Sequence, residues 1–299
     1  MNLKRIFHII AITVIIFIEA SFSQQNNIAL LNSAEDGSFN FIVIGDRTGA
    51  GPDTWKILRK SISEINKIDP DFVIFIGDLI DGYDLKKVSA DSQWDKFDKA
   101  SSLLKVPYFY VVGNHDIYSQ HSMAVWKKRI GKTYFSFKYK DAGFIIISTE
   151  ESGNWARGGL GRAQIAFIKS AVESFSQEKH IFLLMHRPMW LSPGPLKNEW
   201  KEIRRFLGAK RFTVIAGHLH ALSETEDSQG NRYIIVGPTG AKMRFPRNPA
   251  LALFQHYTLF SVKNNSLSVA FIEPGRVYSE SIAKSAYKRY RATMFMYAK

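Results

Sequence analysis

The chain has no cysteine among its 299 residues. That absence excludes disulfides, thiolate zinc sites, iron–sulfur clusters, a cysteine nucleophile and thiol lipidation, so any bound metal must be held by nitrogen and oxygen. No Gly-x-Ser-x-Gly elbow offers a serine nucleophile. Gly131-Lys132-Thr133 looks like the end of a phosphate-binding loop, but Trp126 stands where that loop needs its first glycine. No apolar run after residue 23 is long and uncharged enough to span a bilayer. Low-complexity tracts and internal repeats are absent, and no basic run with interleaved stacking aromatics precedes the C-terminal tail.

What is present reads as an ordinary globular body behind a leader. Hydrophobic residues make up 45% and charged residues 22%. Lys4 and Arg5 precede an apolar run over 6–18, and Ser21 and Ser23 suit cleavage before Gln24. The run falls short of the ~20 residues a span requires. Residues 1–23 are therefore expected to be a signal peptide, giving a secreted or periplasmic protein without a transmembrane anchor once the leader is removed. Residues 24–299 are expected to form one domain, with a helical tail whose Tyr287, Tyr290 and Tyr297 pack on the body. The formal charge is +13, which favours phosphorylated small molecules, acidic glycans or anionic surfaces. Nucleic acid is compatible with that charge but not indicated.

Along the chain, short apolar runs repeatedly end in glycine followed by a polar residue. The run 39–44 ends in Gly45-Asp46-Arg47-Thr48, the run 71–76 in Gly77-Asp78, and the run 108–112 in Gly113-Asn114-His115-Asp116. Helical spacing over 53–68 and around 94–104 separates them, which predicts a βαβαβ unit with a parallel sheet. Further on, 133–139 and 144–148 read as paired strands, 161–175 as a helix, 180–185 as a strand ending in His186-Arg187, 199–207 as a short helix, and 212–216 as a strand ending in Gly217-His218-Leu219-His220. Hairpins turning at 230–231 and 264–265 follow. Parallel strands place such ends on one edge, where α/β proteins keep their chemistry.

The polar set delivered there is Asp46, Asp78, Asn114, His115, His186, His218 and His220. Carboxylates that bridge and neutralise, with imidazoles and an amide oxygen for the remaining positions, make an inventory for two metal ions. In the tetrapeptide after the third strand, one side chain can ligate while the other handles a proton. His121, His180 and His256 lie outside these motifs and read as ordinary histidines, and Asp81 and Asp84 as solvated turn residues.

In order and spacing, Gly45-Asp46, Gly77-Asp78, Gly113 to Asp116, His186 and Gly217 to His220 resemble the five motifs of calcineurin-like metallophosphoesterases. The resemblance spans 39–220 and implies a four-layer α/β/β/α sandwich, an α/β fold with its metals at the strand ends. By the family's pattern Asp78 would bridge two divalent ions, manganese, iron or zinc. Asp46 and His220 would hold the first ion, and Asn114, His186 and His218 the second. A water between the ions would lose its proton near neutrality and attack the phosphorus of a small phosphorylated substrate. His115 would protonate the departing oxygen, and Asp116 would orient its ring.

Thr48 stands where the family's first motif usually has a histidine, so the first ion would lack an imidazole and rely on water or on Thr48 in its place, or be only partly occupied. Purple acid phosphatases also lack that histidine but carry a tyrosine three places after the bridging aspartate. Here that place is Asp81, with Tyr83 two further on, so a ferric tyrosinate is not expected. Arg47 is a candidate clamp for substrate phosphate. The segments 150–161 and 242–251, with Arg157, Arg162, Arg244 and Arg247, are candidate specificity loops. The alternative to hydrolysis is a binding or scaffold protein that keeps the fold with an impaired first metal site.

Overall fold

A computed structural model describes residues 27, 28, 31, 37–49, 52–83, 89–243 and 246–286. The expected signal peptide, Asp84, Arg244 and the tail from residue 287 lie outside the described residues. Among those described, no helix is long and apolar enough to cross a membrane.

Two mixed sheets face each other. In the first, β1 (Phe39–Ile44), β2 (Phe72–Phe75) and β3 (Tyr108–Tyr110) are parallel neighbours, as the βαβαβ reading predicts. On the other side of β1 the sheet continues antiparallel through β10 (Tyr257–Lys263), β11 (Ser266–Glu273) and β12 (Arg276–Ser279). The second sheet runs β4 (Phe135–Tyr139), β5 (Ala142–Ile146), β6 (His180–Met185), β7 (Phe212–Ala216), β9 (Arg232–Ile235) and β8 (Ser223–Glu226). Its middle strands β5, β6, β7 and β9 are parallel.

The apolar runs are continuous because both faces of each sheet are covered. In β1, Phe39, Phe41 and Val43 enter the layer between the sheets, while Ile42 and Ile44 face helices. Phe41 stacks on Phe72 and Phe260, at 5.4 and 4.8 Å, and meets Phe144 and Phe182 of the opposite sheet edge-on. Outside the first sheet lie α1 (Pro52–Ile68), α2 (Ala90–Ser101) and α3 (Gln120–Arg129), whose Trp55, Leu58, Trp94, Phe97 and Trp126 close that layer. Outside the second lie α4 (Gly161–Ser174) and α5 (Pro195–Leu207). This is the four-layer α/β/β/α sandwich.

Among the described residues, several elements differ from the sequence reading, including a helix that starts at Ala90 and not near 94. The helix α3 has only Val125, Trp126 and Ser122 buried, too few for a visible stripe; it is started by a reciprocal Ser119–Ser122 capping box and tied to α2 by Arg129, which reaches Asp91, Asp95 and Asp98. The helix α5 begins at Pro195, not 199, because proline suits the first helical turn. The exposed edge strand β12 carries no apolar run.

Candidate metal centre

Strands β1, β2, β6 and β7 end at one edge, and the loops beyond them are sewn together by backbone hydrogen bonds. The Asp46 amide donates to Gly77 O at 2.9 Å, Arg47 N to Asp78 O at 2.9 Å, and Gly217 N to His186 O at 3.1 Å. The segment after β9 adds a floor, with Thr239 N donating to Gly45 O and Ala241 N to Asp46 O. These turns hold Asp46, Asp78, His218 and His220 at φ of 49°, 54°, 73° and 52°. Left-handed backbone costs a non-glycine residue about 1 kcal/mol, and its concentration here marks a site where geometry outranks local ease. Two glycines permit the approach. A Cβ on Gly113 would lie 2.4 Å from Asp78 Oδ1, and one on Gly77 would lie 2.7 Å from His186 Nδ1.

The ligand-type side chains converge into two clusters that share one carboxylate. Asp78, His186 and His218 offer atoms within 4.8 Å of one another, and so do Asp46, Asp78 and His220. His186 Nε2 is 3.1 Å from Asp78 Oδ2 and 3.3 Å from His218 Nδ1. His220 Nε2 is 3.6 Å from Asp46 Oδ1. The outer nitrogens are already occupied: His186 Nδ1 faces Ile76 O at 2.9 Å, and His220 Nδ1 faces Lys242 O at 3.2 Å. Donation to those carbonyls leaves each Nε2 lone pair facing the cluster, the tautomer a metal ligand needs. Asn114 completes the second cluster in kind. Its Nδ2 donates to the Tyr83 hydroxyl at 3.2 Å, while its Oδ1 is buried without a hydrogen-bond partner.

At these separations the groups perturb one another. Burial would raise Asp78, but the charge and hydrogen bond of His186 win and hold its carboxyl well below the usual range. Burial would lower His186, yet the Asp78 carboxylate pushes it up to about 10. Burial and the neighbouring His186 lower His218, whereas the Asp46 carboxylate overcomes burial and raises His220. Cations entering the clusters would therefore compete with protons for His186 and His220. An orphaned amide oxygen, two oriented imidazoles and a shared carboxylate fit a pair of divalent ions.

The family model for calcineurin-like phosphoesterases matches residues 39–222. The chain belongs to the calcineurin-like phosphoesterase family. Its reaction class is phosphoester hydrolysis, and its family's centres hold two metals. It is 24% identical over 187 residues to a probable glycerophosphodiester phosphodiesterase of Arcobacter nitrofigilis, covering 58% of this chain and 66% of that relative's length. It is 23% identical over 247 residues to human tartrate-resistant acid phosphatase type 5, covering 70% and 76%. A dimetal phosphatase from Danio rerio has a similar fold, with a TM-score of 0.63 at 13% identity over 81% of this chain and 98% of that one.

In this phosphoesterase His115 stands beside the second cluster, with Nε2 4.0 Å from Asp78 Oδ2 and its side chain 28% exposed. Its Nδ1 faces Asp81 O at 2.6 Å. Asp116 does not orient this ring, contrary to expectation. It is fully buried and accepts from the amides of Gly113, Asp78, Leu79 and Ile80 at 2.8, 2.9, 2.8 and 3.3 Å. Four donors converge there because the β2 and β3 loops turn around it, and a carboxylate is the one side chain that can satisfy them all. Burial and the nearby Asp78 charge nevertheless push Asp116 up to about 7.

Arg47 is likewise a brace and not a phosphate clamp. Its side chain is 2% exposed, its Nε donates to Leu79 O at 2.6 Å, its Nη2 to Asp81 Oδ1 at 2.9 Å, and its guanidinium lies over Trp55. Burial depresses its pKa even against the Asp81 charge. Asp81 is no solvated turn residue: it also accepts from Gly49 N. Tyr83 was missed as a participant. It orients Asn114 and packs edge-on against His115 at 4.9 Å, and burial raises its pKa so that it stays a neutral phenol. No sequence signal marks it, because it sits two places beyond the motif position. His180 and His256 are buried in ordinary roles, the first against Thr213 and the second accepting from Gly237 N. Of the loop arginines, Arg162 pairs with Glu202 and Arg247 with Glu273, while Arg157 lines a cavity beside His218.

Proposed function

We propose that this chain is an exported hydrolase that cleaves a small phosphate ester at a pair of divalent cations, manganese, iron or zinc. Asp46, Asp78 and His220 would hold the first cation, and Asp78, Asn114, His186 and His218 the second. The observation that carries this reading is the pair of clusters sharing Asp78, with the Asn114 oxygen buried and unpartnered beside them. Bound there, such a pair supplies Lewis acidity toward phosphoryl oxygens and makes a coordinated water acidic near neutrality.

The chain's own groups do the rest. With Nδ1–H committed to the Asp81 carbonyl, His115 exposes Nε2 as its exchangeable position. Protonated there, it donates to the departing ester oxygen, a role worth about 10²–10⁴ in rate. Tyr83 keeps the Asn114 amide the right way round, and Asp116 holds the Asp78 turn shut. Similarity to a glycerophosphodiester phosphodiesterase and to an acid phosphatase makes diesters and monoesters both fair substrates. Export rests on Lys4, Arg5 and the apolar run 6–18.

The test is manganese-reconstituted protein assayed on chromogenic mono- and diesters. Turnover is expected, with loss of metal and activity in Asn114→Ala and His218→Ala and loss of activity with metal retained in His115→Ala. A second reading, a scaffold that keeps the fold, is favoured by Thr48. It predicts protein that binds no cation and turns over nothing. For export, the mature chain recovered from its cells should begin at Gln24; an intact Met1 start in soluble intracellular protein would contradict it.

A further inference from the structure

A cavity of about 380 Å³ opens beside the second cluster, and His218 belongs to both. Its walls include Arg157, Arg187, Pro195, Leu196 and Leu219. The two arginines are not equivalent. Arg187 grips the fully buried Glu150 through Nε and Nη2, at 2.7 and 3.2 Å, and donates to Trp155 O, so its charge is answered within the protein. Arg157 has its backbone fixed by Asn154, its amide donating to Asn154 O at 3.1 Å, but its guanidinium has no partner among the described residues. The positive end of α5 forms the adjacent wall at Pro195 and Leu196. Leu196 and Leu219 supply apolar surface between. The cavity therefore combines a short apolar stretch with an exposed arginine at its rim and His218 of the candidate metal centre in its wall.

We infer that the organic part of the substrate occupies this cavity and carries a second anionic group, a carboxylate or another phosphate, which Arg157 pairs with. The volume suits a compact group and sits at the low end of small-molecule sites. An arginine fork meets a carboxylate or phosphate with two parallel hydrogen bonds, which makes it a selective contact even at an exposed rim. Arg157 is thus a specificity residue: it acts on which ester is bound and not on the bond that breaks. This rests on the phosphoesterase reading above, and the test separates the two.

Manganese-loaded protein is titrated calorimetrically with three non-hydrolysable series of matched spacer length: alkylphosphonates, ω-carboxyalkylphosphonates and α,ω-bisphosphonates. At one spacer length the anion-bearing ligand should bind about tenfold more tightly than the plain alkylphosphonate. Arg157→Glu should abolish or reverse that preference, and Arg157→Lys should retain part of it. A preference common to both anionic series assigns any second anion, whereas one confined to bisphosphonates assigns a second phosphate. Ratios within twofold at every length, or a preference that survives Arg157→Glu, overturn the inference. If the preference appears but none of the corresponding esters is turned over, the anion site stands and the hydrolase reading falls.

Discussion

Asp116→Asn is the substitution that best separates a structural carboxylate from a catalytic one. In the native protein Oδ2 takes the amides of Gly113 and Asp78, and Oδ1 takes those of Leu79 and Ile80. An asparagine keeps one oxygen, so whichever way the amide faces, two buried backbone N–H groups meet an NH₂ donor in place of an acceptor. Each stranded donor costs about 1–3 kcal/mol. Two stranded donors cost about 2–6 kcal/mol, and loss of the buried charge offsets part of this, which leaves a net destabilisation of about 3 kcal/mol. For a body of this size ~1 kcal/mol shifts the melting temperature by about 2–4 °C, so a drop of about 9 °C is expected. Because the Asp78 amide is one of the four, manganese affinity should fall with it. Thermal melts with and without manganese are the assay. A variant that melts within 2 °C of wild type, binds manganese normally and loses only turnover would refute the structural role and restore Asp116 as a partner of His115.

Other substitutions probe the remaining supports. Tyr83→Phe leaves Asn114 free to rotate and should raise the manganese dissociation constant of the second site about tenfold, read by calorimetry; unchanged affinity would remove Tyr83 from the centre. Arg47→Met should cost about 2 kcal/mol in chemical denaturation while KM stays within about twofold; a large rise in KM at unchanged stability would revive the phosphate clamp. His180 is held down to about 3 by burial and by Arg211 and Arg232, and so stays neutral while an unfolded histidine protonates near 6.5. Its contribution is complete above pH ~6.5 and lost as pH falls toward ~3, so stability should decline on acidification across that window. His180→Gln should reduce the slope of unfolding free energy against pH by about 1.4 kcal/mol per unit, and an unaltered slope would contradict this.

Much of this was legible because strands and their ends obey simple rules. Unbroken runs such as 71–76 and 180–185 announce strands buried on both faces, and the glycine–polar pairs after them announce one functional edge. The ligand-type residues were therefore visible as types in order. What escaped was whatever depends on contacts between distant loops. Nothing local says that Asp116 turns inward to four amides, because a carboxylate after a histidine looks the same whether it faces the ring or the backbone. Arg47 reads as a candidate phosphate clamp until Trp55, Leu79 and Asp81 are seen around it. Tyr83 is invisible because its role depends on how the 78–83 turn folds back toward Asn114. The helix α3 was missed for a different reason: a capping box and two large buried side chains fix it without a full amphipathic stripe.

In the proposed centre Asp78 lies between two cations. Anomalous scattering from manganese-soaked crystals measures this most directly. Two peaks flanking the Asp78 carboxylate are expected, one beside Asp46 and His220 and one beside Asn114, His186 and His218. A single peak away from Asp78, or no peak at saturating manganese, would contradict it.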